Sequence, residues 1–169
     1  MPPLPPLGIT SVVELVNQYA SVTRLTAADQ ALPYPHLPVL EVLPATKAQK
    51  ITAADRLHPV FTSPEASPVT LNALVEEVRL RPHLDDAGVL GWVVPRSRDM
   101  LLGACTAALI EWIQDKGLTR HGTCNAPRCV DVYIDSSRPG TRRYCSDSCL
   151  NRDRVAIWRA RKRSEREAM

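Results

Sequence analysis

Between residues 9 and 119 the apolar positions recur mainly at helical intervals. Val12, Leu15, Val16 and Tyr19 form one stripe, and Thr10 or Ser11 is placed to cap a helix over them. Leu71, Leu74, Val75 and Val78 form a second stripe, leaving Glu76, Glu77 and Arg79 to face water, so a helix is expected from Thr70. A third and longer helix runs from a Ser97 cap to Lys116 and stops at Gly117. Its inner face is Leu101, Ala104, Cys105, Ala108, Leu109, Trp112 and Ile113. A weaker pattern predicts a short helix at about Thr52 to Leu57.

Elsewhere the helical period breaks. Arg81 to Leu84 and Val89 to Val94 flank the turn-forming Asp85-Asp86-Ala87-Gly88, which predicts a β-hairpin over one side of the helical core. Leu32 to Pro44 holds four prolines and reads as an irregular or extended connection. The first eight residues, four of them proline, read as an extended leader with no role in the core. The predicted class is therefore α+β and predominantly helical. A Pro-rich leader (1–9) precedes a helical body with a β-hairpin (10–119), and a small cysteine-bearing module with a C-terminal basic helix (120–169) follows.

Composition supports this outline, since a single Phe and 7 Gly against 15 Pro disfavour an aromatic-rich β-sandwich. No apolar run approaches the roughly 18 to 20 residues of a membrane-spanning helix, and the start lacks the basic region and apolar core of a secretory signal. A cytoplasmic protein is expected. The net charge of +3 conceals an asymmetry: residues 1–119 carry −3 and residues 120–169 carry +6. A mildly acidic body joined to a basic module suits an electrostatic binding partner.

Four of the five cysteines are arranged as Cys124-x4-Cys129-x15-Cys145-x3-Cys149, two close pairs separated by a loop. Such pairs assemble a tetrahedral four-thiolate site for one structural zinc ion. Two disulfides are the competing reading, and they suit a reducing compartment poorly. Gly122, Asn125 and Pro127 supply turn chemistry at the first pair, and Ser146 or Asp147 can cap a helix starting at the second. Arg142, Arg143 and Arg152 lie near the second pair and can offset the negative charge of four thiolates. A closed sulfur shell leaves no room for His121 as a ligand and no open position for a catalytic water.

From Ser146 to Arg166 there is no Pro or Gly. On a helical wheel Leu150, Ile157 and Trp158 fall on a side expected to pack, opposite Arg152, Arg159, Arg163 and Arg166. Arg154, Arg161 and Lys162 add charge at the flanks, a composition that suits a DNA major groove or an RNA backbone. His36, His58, His83 and His121 are scattered in proline-flanked or loop contexts, and no nucleophile, base and orienting group can be assembled, so an enzyme is not expected.

Four segments carry a family resemblance. They are Cys124-Asn-Ala-Pro-Arg-Cys129, Tyr133-Ile-Asp135-Ser-Ser137-Arg138, Arg142-Arg143-Tyr144-Cys145-Ser146 and Cys149-Leu150-Asn151-Arg152, and together they resemble the bacterial CGNR-type zinc finger. Leu150 stands where that family has glycine. Less sharply, Leu15-Val16-Asn17, Leu71-Asn72-Ala73-Leu74 and Leu80-Arg81-Pro82 resemble the ABATE domain that precedes this finger in stress-induced transcriptional regulators.

The resemblance implies one zinc ion and duplex DNA as a partner, in a nucleoid-associated bacterial regulator. Arg142, Arg143, Arg152, Arg154, Arg159, Arg161, Lys162 and Arg163 are the candidate contacts. It leaves open homodimerisation, contact with the transcription machinery and an effector ligand. A zinc-stabilised protein-interaction or RNA-binding module is the alternative. Only Tyr133, Tyr144 and Trp158 are near enough to serve as stacking platforms, which favours duplex DNA over single-stranded RNA.

Overall fold

The structure is a computed structural model and describes residues 3–26, 32–38 and 43–167. Helix α1 (Ile9–Tyr19) buries Val12, Leu15, Val16 and Tyr19, as the stripe predicts. Gly8 occupies its N-cap without a side-chain hydrogen bond, so neither Thr10 nor Ser11 caps it; both lie inside the first turn. The short α2 (Ser21–Thr26) follows, and Ser21 donates from its N–H and Oγ to the Asp55 carboxylate at 2.6 and 2.8 Å.

Asp55 belongs to α3 (Lys47–Thr62), which is far longer than the predicted Thr52 to Leu57. Thr46 and Gln49 form a reciprocal capping box at its start: the Thr46 Oγ1 accepts from the Gln49 N–H at 3.2 Å, and the Gln49 Oε1 accepts from the Thr46 N–H at 2.8 Å. At its other end Pro59 removes a donor and disfavours helix at His58. The helix continues because Val60 and Phe61 are fully buried, and each such side chain contributes about 1.5–3 kcal/mol on leaving water.

Helix α4 (Ser67–Val78) buries Leu71, Leu74 and Val78 and ends on Arg79 in the left-handed region, with the Leu80 N–H donating to the Val75 carbonyl at 3.0 Å. Strands β1 (Arg81–Leu84) and β2 (Leu90–Val93) pair antiparallel from Arg81↔Val93 to Leu84↔Leu90, as expected. Asp85 closes their turn, its Oδ1 accepting the N–H groups of Ala87 and Val89 at 2.9 and 2.8 Å.

Helix α5 spans Met100–Lys116 and is preceded by a 3-10 turn over Ser97–Asp99. The expected Ser97 cap is not made; the turn is held instead by an ion pair between Arg96 and Asp99. Cys105 is fully buried, which pushes its thiol up to about 12. Trp112 and Ile113 are only half-buried against the core. Gly103 admits Val94 and Leu4, since a Cβ there would lie 2.7 Å from Val94 Cγ1 and 3.3 Å from Leu4 Cδ1.

That contact overturns the reading of the leader as a segment outside the core. Leu4 is 8% exposed and belongs to the main cluster, and its N–H donates to the Trp92 carbonyl at 2.7 Å. A proline-rich segment is extended, and extended chain can lie along the edge of β2. The described part of the Leu32–Pro44 connection contains neither α-helix nor strand, in line with its prolines. Residues 1–2, 27–31, 39–42 and 168–169 lie outside the described residues.

After α5 the chain forms β3 (His121–Thr123) and β4 (Val132–Ile134), an antiparallel pair registered His121↔Ile134 to Thr123↔Val132. This pair packs on α1 and α3, and Val132 and Ile134 are part of the same core as the helices. Helix α6 (Asp147–Glu167) completes the chain. The whole is a mostly helical α+β fold with two small hairpins.

Candidate metal centre and its basic helix

The second hairpin positions the first cysteine pair. Cys124 follows β3 directly, and its N–H donates to the Asp131 carbonyl at 2.8 Å, closing a knuckle over residues 124–131. Within the knuckle the Cys129 N–H donates to the Ala126 carbonyl at 3.1 Å, and Arg128 takes a left-handed conformation with φ 62°. The second pair is positioned by α6. Ser146 caps that helix, its Oγ accepting the Cys149 N–H at 3.3 Å, as the sequence predicts. The Asn125 N–H donates to the Arg143 carbonyl at 2.9 Å and ties the two halves together.

The four sulfurs converge, with all ligand atoms within 4.8 Å of one another. Cys129 and Cys145 are 3.8 Å apart, Cys145 and Cys149 3.5 Å, and Cys149 and Cys129 3.7 Å. A tetrahedron with Zn–S bonds of about 2.3 Å has edges of about 3.8 Å, so these separations fit one zinc ion. They are far too long for disulfides of about 2.0 Å, and all five cysteines are free thiols.

Electrostatics point the same way. Burial pushes Cys129 up to about 12; burial and its hydrogen bond to Cys149 raise Cys145 still more strongly. Burial also opposes ionisation of Cys149, but hydrogen bonds from Ser146 and the neighbouring thiols outweigh it and hold Cys149 below the usual thiol range. Thiols packed this closely ionise together only around a cation.

The arginines beside the cysteines divide by what they touch. Arg152 donates from Nη2 to the Cys149 Sγ at 3.0 Å, as expected of a group that offsets thiolate charge. Arg142 makes no such contact. Its Nε and Nη2 donate to the carbonyls of Tyr144 and Cys145 at 2.9 and 2.6 Å, clamping the backbone that enters the site. Among the described residues Arg143 has no thiolate contact, and its side chain is exposed beside Arg154 in a cleft of about 830 Å³ between the 137–147 segment and α6.

Asp135 organises that segment, a role the spacing of the sequence did not disclose. Its Oδ1 accepts the Ser137 N–H at 2.9 Å and the Ser137 Oγ–H at 2.5 Å, while its Oδ2 accepts the Arg142 N–H at 2.9 Å. Burial opposes its charge, but these bonds and nearby Arg120 hold the carboxyl below its ordinary value. Gly140, with φ 65°, lets the loop press on the Arg120 guanidinium, whose Nη1 donates to the Ser137 carbonyl at 2.7 Å.

His121 is not a loop residue, contrary to the sequence reading, and the proline-flanked His58 lies within a helix. His121 opens β3, is buried, and its Nε2 lies 2.9 Å from the Ser67 Oγ, which donates to the Val60 carbonyl at 2.7 Å. His58 sits in α3 with its Nε2 3.1 Å from the Val130 carbonyl. Both join the cysteine module to the body rather than ligate metal.

Helix α6 departs from the expectation that one face packs. Leu150 and Asp153 are half-buried, and the Tyr144 hydroxyl donates to the Asp153 Oδ2 at 2.7 Å. From Arg154 to Arg166 every residue is exposed, including Ile157 at 62% and Trp158 at 58%. The helix therefore projects about 20 Å beyond its mount. Within that projection Arg161 and Lys162 both pair with Glu165, whereas Arg154, Arg159 and Arg163 have no carboxylate within ion-pair distance among the described residues.

Among the described residues no helix is long and apolar enough to cross a membrane. No curated protein matches the chain. An ABATE domain is not detected in the body. Residues 120–162, which hold the converging cysteines, the Asp135-stapled segment and most of the projecting helix, match the CGNR zinc finger family.

Proposed function

We propose that this chain is a duplex-DNA-binding regulator in which zinc fixes the direction of α6. Cys124, Cys129, Cys145 and Cys149 would hold the metal. A four-thiolate shell supplies structural cross-linking, with no open position for chemistry. The Arg142 clamp, the Ser146 cap and the Tyr144–Asp153 bond then hold the first turns of α6 to that centre.

One observation carries the reading. The exposed part of α6, Arg154 to Arg166, holds six cations and one acid. A rigidly mounted cationic helix of this length fits a major groove, with Arg154, Arg159 and Arg163 free for phosphates or base edges. Arg143 reaches the same partner from the cleft beside Arg154. Arg142 and Arg152 act by holding the mount, which separates them from the contacting group. The helical body is an ABATE-like domain that senses a ligand or dimerises.

The competing reading gives α6 a structured RNA or an acidic protein. Competition at matched ionic strength separates the two: labelled duplex DNA bound to zinc-loaded protein should be displaced by unlabelled duplex at lower concentration than by hairpin RNA or an acidic peptide. Preferential displacement by RNA or peptide would reject the DNA reading.

A further inference from the structure

The leader, β2 and α5 enclose a space remote from the cysteine module. Pro3 to Leu7 form a strap along β2, tethered by the bond from the Leu4 N–H to the Trp92 carbonyl and by the buried Leu4 side chain. Pro3, Pro5 and Pro6 have no N–H and cannot extend that pairing. Beneath the strap Ala104, Ala107 and Ala108 of α5 form a floor of methyl groups. They leave a cavity of about 320 Å³, at the lower end of small-molecule sites.

Its walls are apolar, and among the described residues its ionisable groups are Asp85, Glu111 and His83, with no Lys or Arg lining it. Glu111 lies one helical turn beyond Ala107, and its Oε1 accepts the Trp92 Nε1–H at 2.8 Å. The carboxylate is thereby held beside an indole, with its other oxygen unengaged among the described residues. A carboxylate recognises an ammonium group by charge-assisted hydrogen bonds, and a methyl-lined floor recognises the hydrocarbon attached to it.

We propose that this cleft binds a small aromatic primary amine as its ammonium form, the ring lying over the alanine floor and the charge meeting the Glu111 carboxylate. The proposal stands on the body alone and is independent of what α6 binds. A neutral isostere loses the ionic contact, and a carboxylate is repelled by Glu111 and Asp85.

Calorimetric titration of the zinc-loaded full chain with 2-phenylethylamine, 2-phenylethanol and phenylacetate tests it. The amine should bind at least about tenfold more tightly than the alcohol, and phenylacetate should not saturate. Glu111→Gln, an exposed position that leaves the fold intact, should remove that advantage without changing alcohol binding. Ala107→Leu, read at a temperature where its unfolding curve shows a folded protein, should abolish binding of both. Equal affinity for amine and alcohol, an unchanged amine affinity in Glu111→Gln, or no saturation by amine at about 10 mM would overturn the proposal.

Discussion

Asn17 and Val132, 115 residues apart, exchange two hydrogen bonds: the Asn17 Nδ2 donates to the Val132 carbonyl at 3.0 Å, and the Val132 N–H donates to the Asn17 Oδ1 at 2.7 Å. The side-chain amide takes the place of a neighbouring strand for β4. It thereby fastens the first strands of the finger to α1. Because Val132 is buried, removing the amide strands two main-chain groups away from water.

Asn17→Ala is therefore expected to lower stability by about 2–4 kcal/mol. Asn17→Asp should be no better, because a carboxylate cannot donate to the Val132 carbonyl. Urea unfolding of the three proteins checks this, and a loss below about 0.5 kcal/mol for either variant would remove Asn17 from the joint.

Metal removal should act on part of the finger only. Val132 and Ile134 lie in the core of the helices, whereas the knuckle, the segment entering α6 and the start of α6 are held by the sulfurs. Hydrogen exchange after chelation should show lost protection across residues 124–130 and 143–153, with 121–123 and 132–134 still protected. Loss of protection throughout α1 and α3 would mean that the metal supports the whole body.

The cysteine spacing made the metal centre legible in the sequence because a tetrahedral site constrains residues that are close along the chain. The same holds for the β1–β2 hairpin and the stripes of α1 and α4. Partners far apart were not legible: no periodicity joins Asn17 to Val132 or Ser67 to His121. Helix α3 was underestimated because Pro59 argues locally against it while the buried Val60 and Phe61, which overrule that argument, acquire their weight only in the assembled core. Ile157 and Trp158 misled in the opposite direction, since apolar residues at helical spacing usually face a core and here face water.

His121 should make stability depend on pH. Burial pushes its imidazole below the ordinary value of 6.5, with only partial compensation from the Val60 carbonyl. The unfolded chain thus takes up a proton at a higher pH than the folded one, so the His121 contribution is intact above about pH 6.5 and is lost as the pH falls from there toward the folded-state value. His121→Gln should flatten the unfolding free energy across that window. An equally steep decline in the variant would assign the effect to other groups.

The Asp135 staple should also respond to small changes. Gly140→Ala places a methyl group about 2.5 Å from Arg120 Nη1 in a backbone conformation that disfavours side chains. A loss of about 1–3 kcal/mol is expected, together with faster exchange at the Arg142 and Ser137 amides. Unchanged stability and exchange would show that the loop has another arrangement open to it.

The account rests most heavily on α6 as a cationic element held out for a polyanion, and the salt dependence of DNA binding tests that most directly. Zinc-loaded protein and an Arg154, Arg159 and Arg163→Gln variant are titrated onto one duplex by fluorescence anisotropy at several salt concentrations. Each phosphate contact contributes about 0.9 to the slope of log affinity against log salt, so the variant should bind more weakly with a slope smaller by about 2 to 3. Equal affinities and equal slopes for the two proteins, or no binding by the zinc-loaded chain at low salt, would contradict the role assigned to the helix.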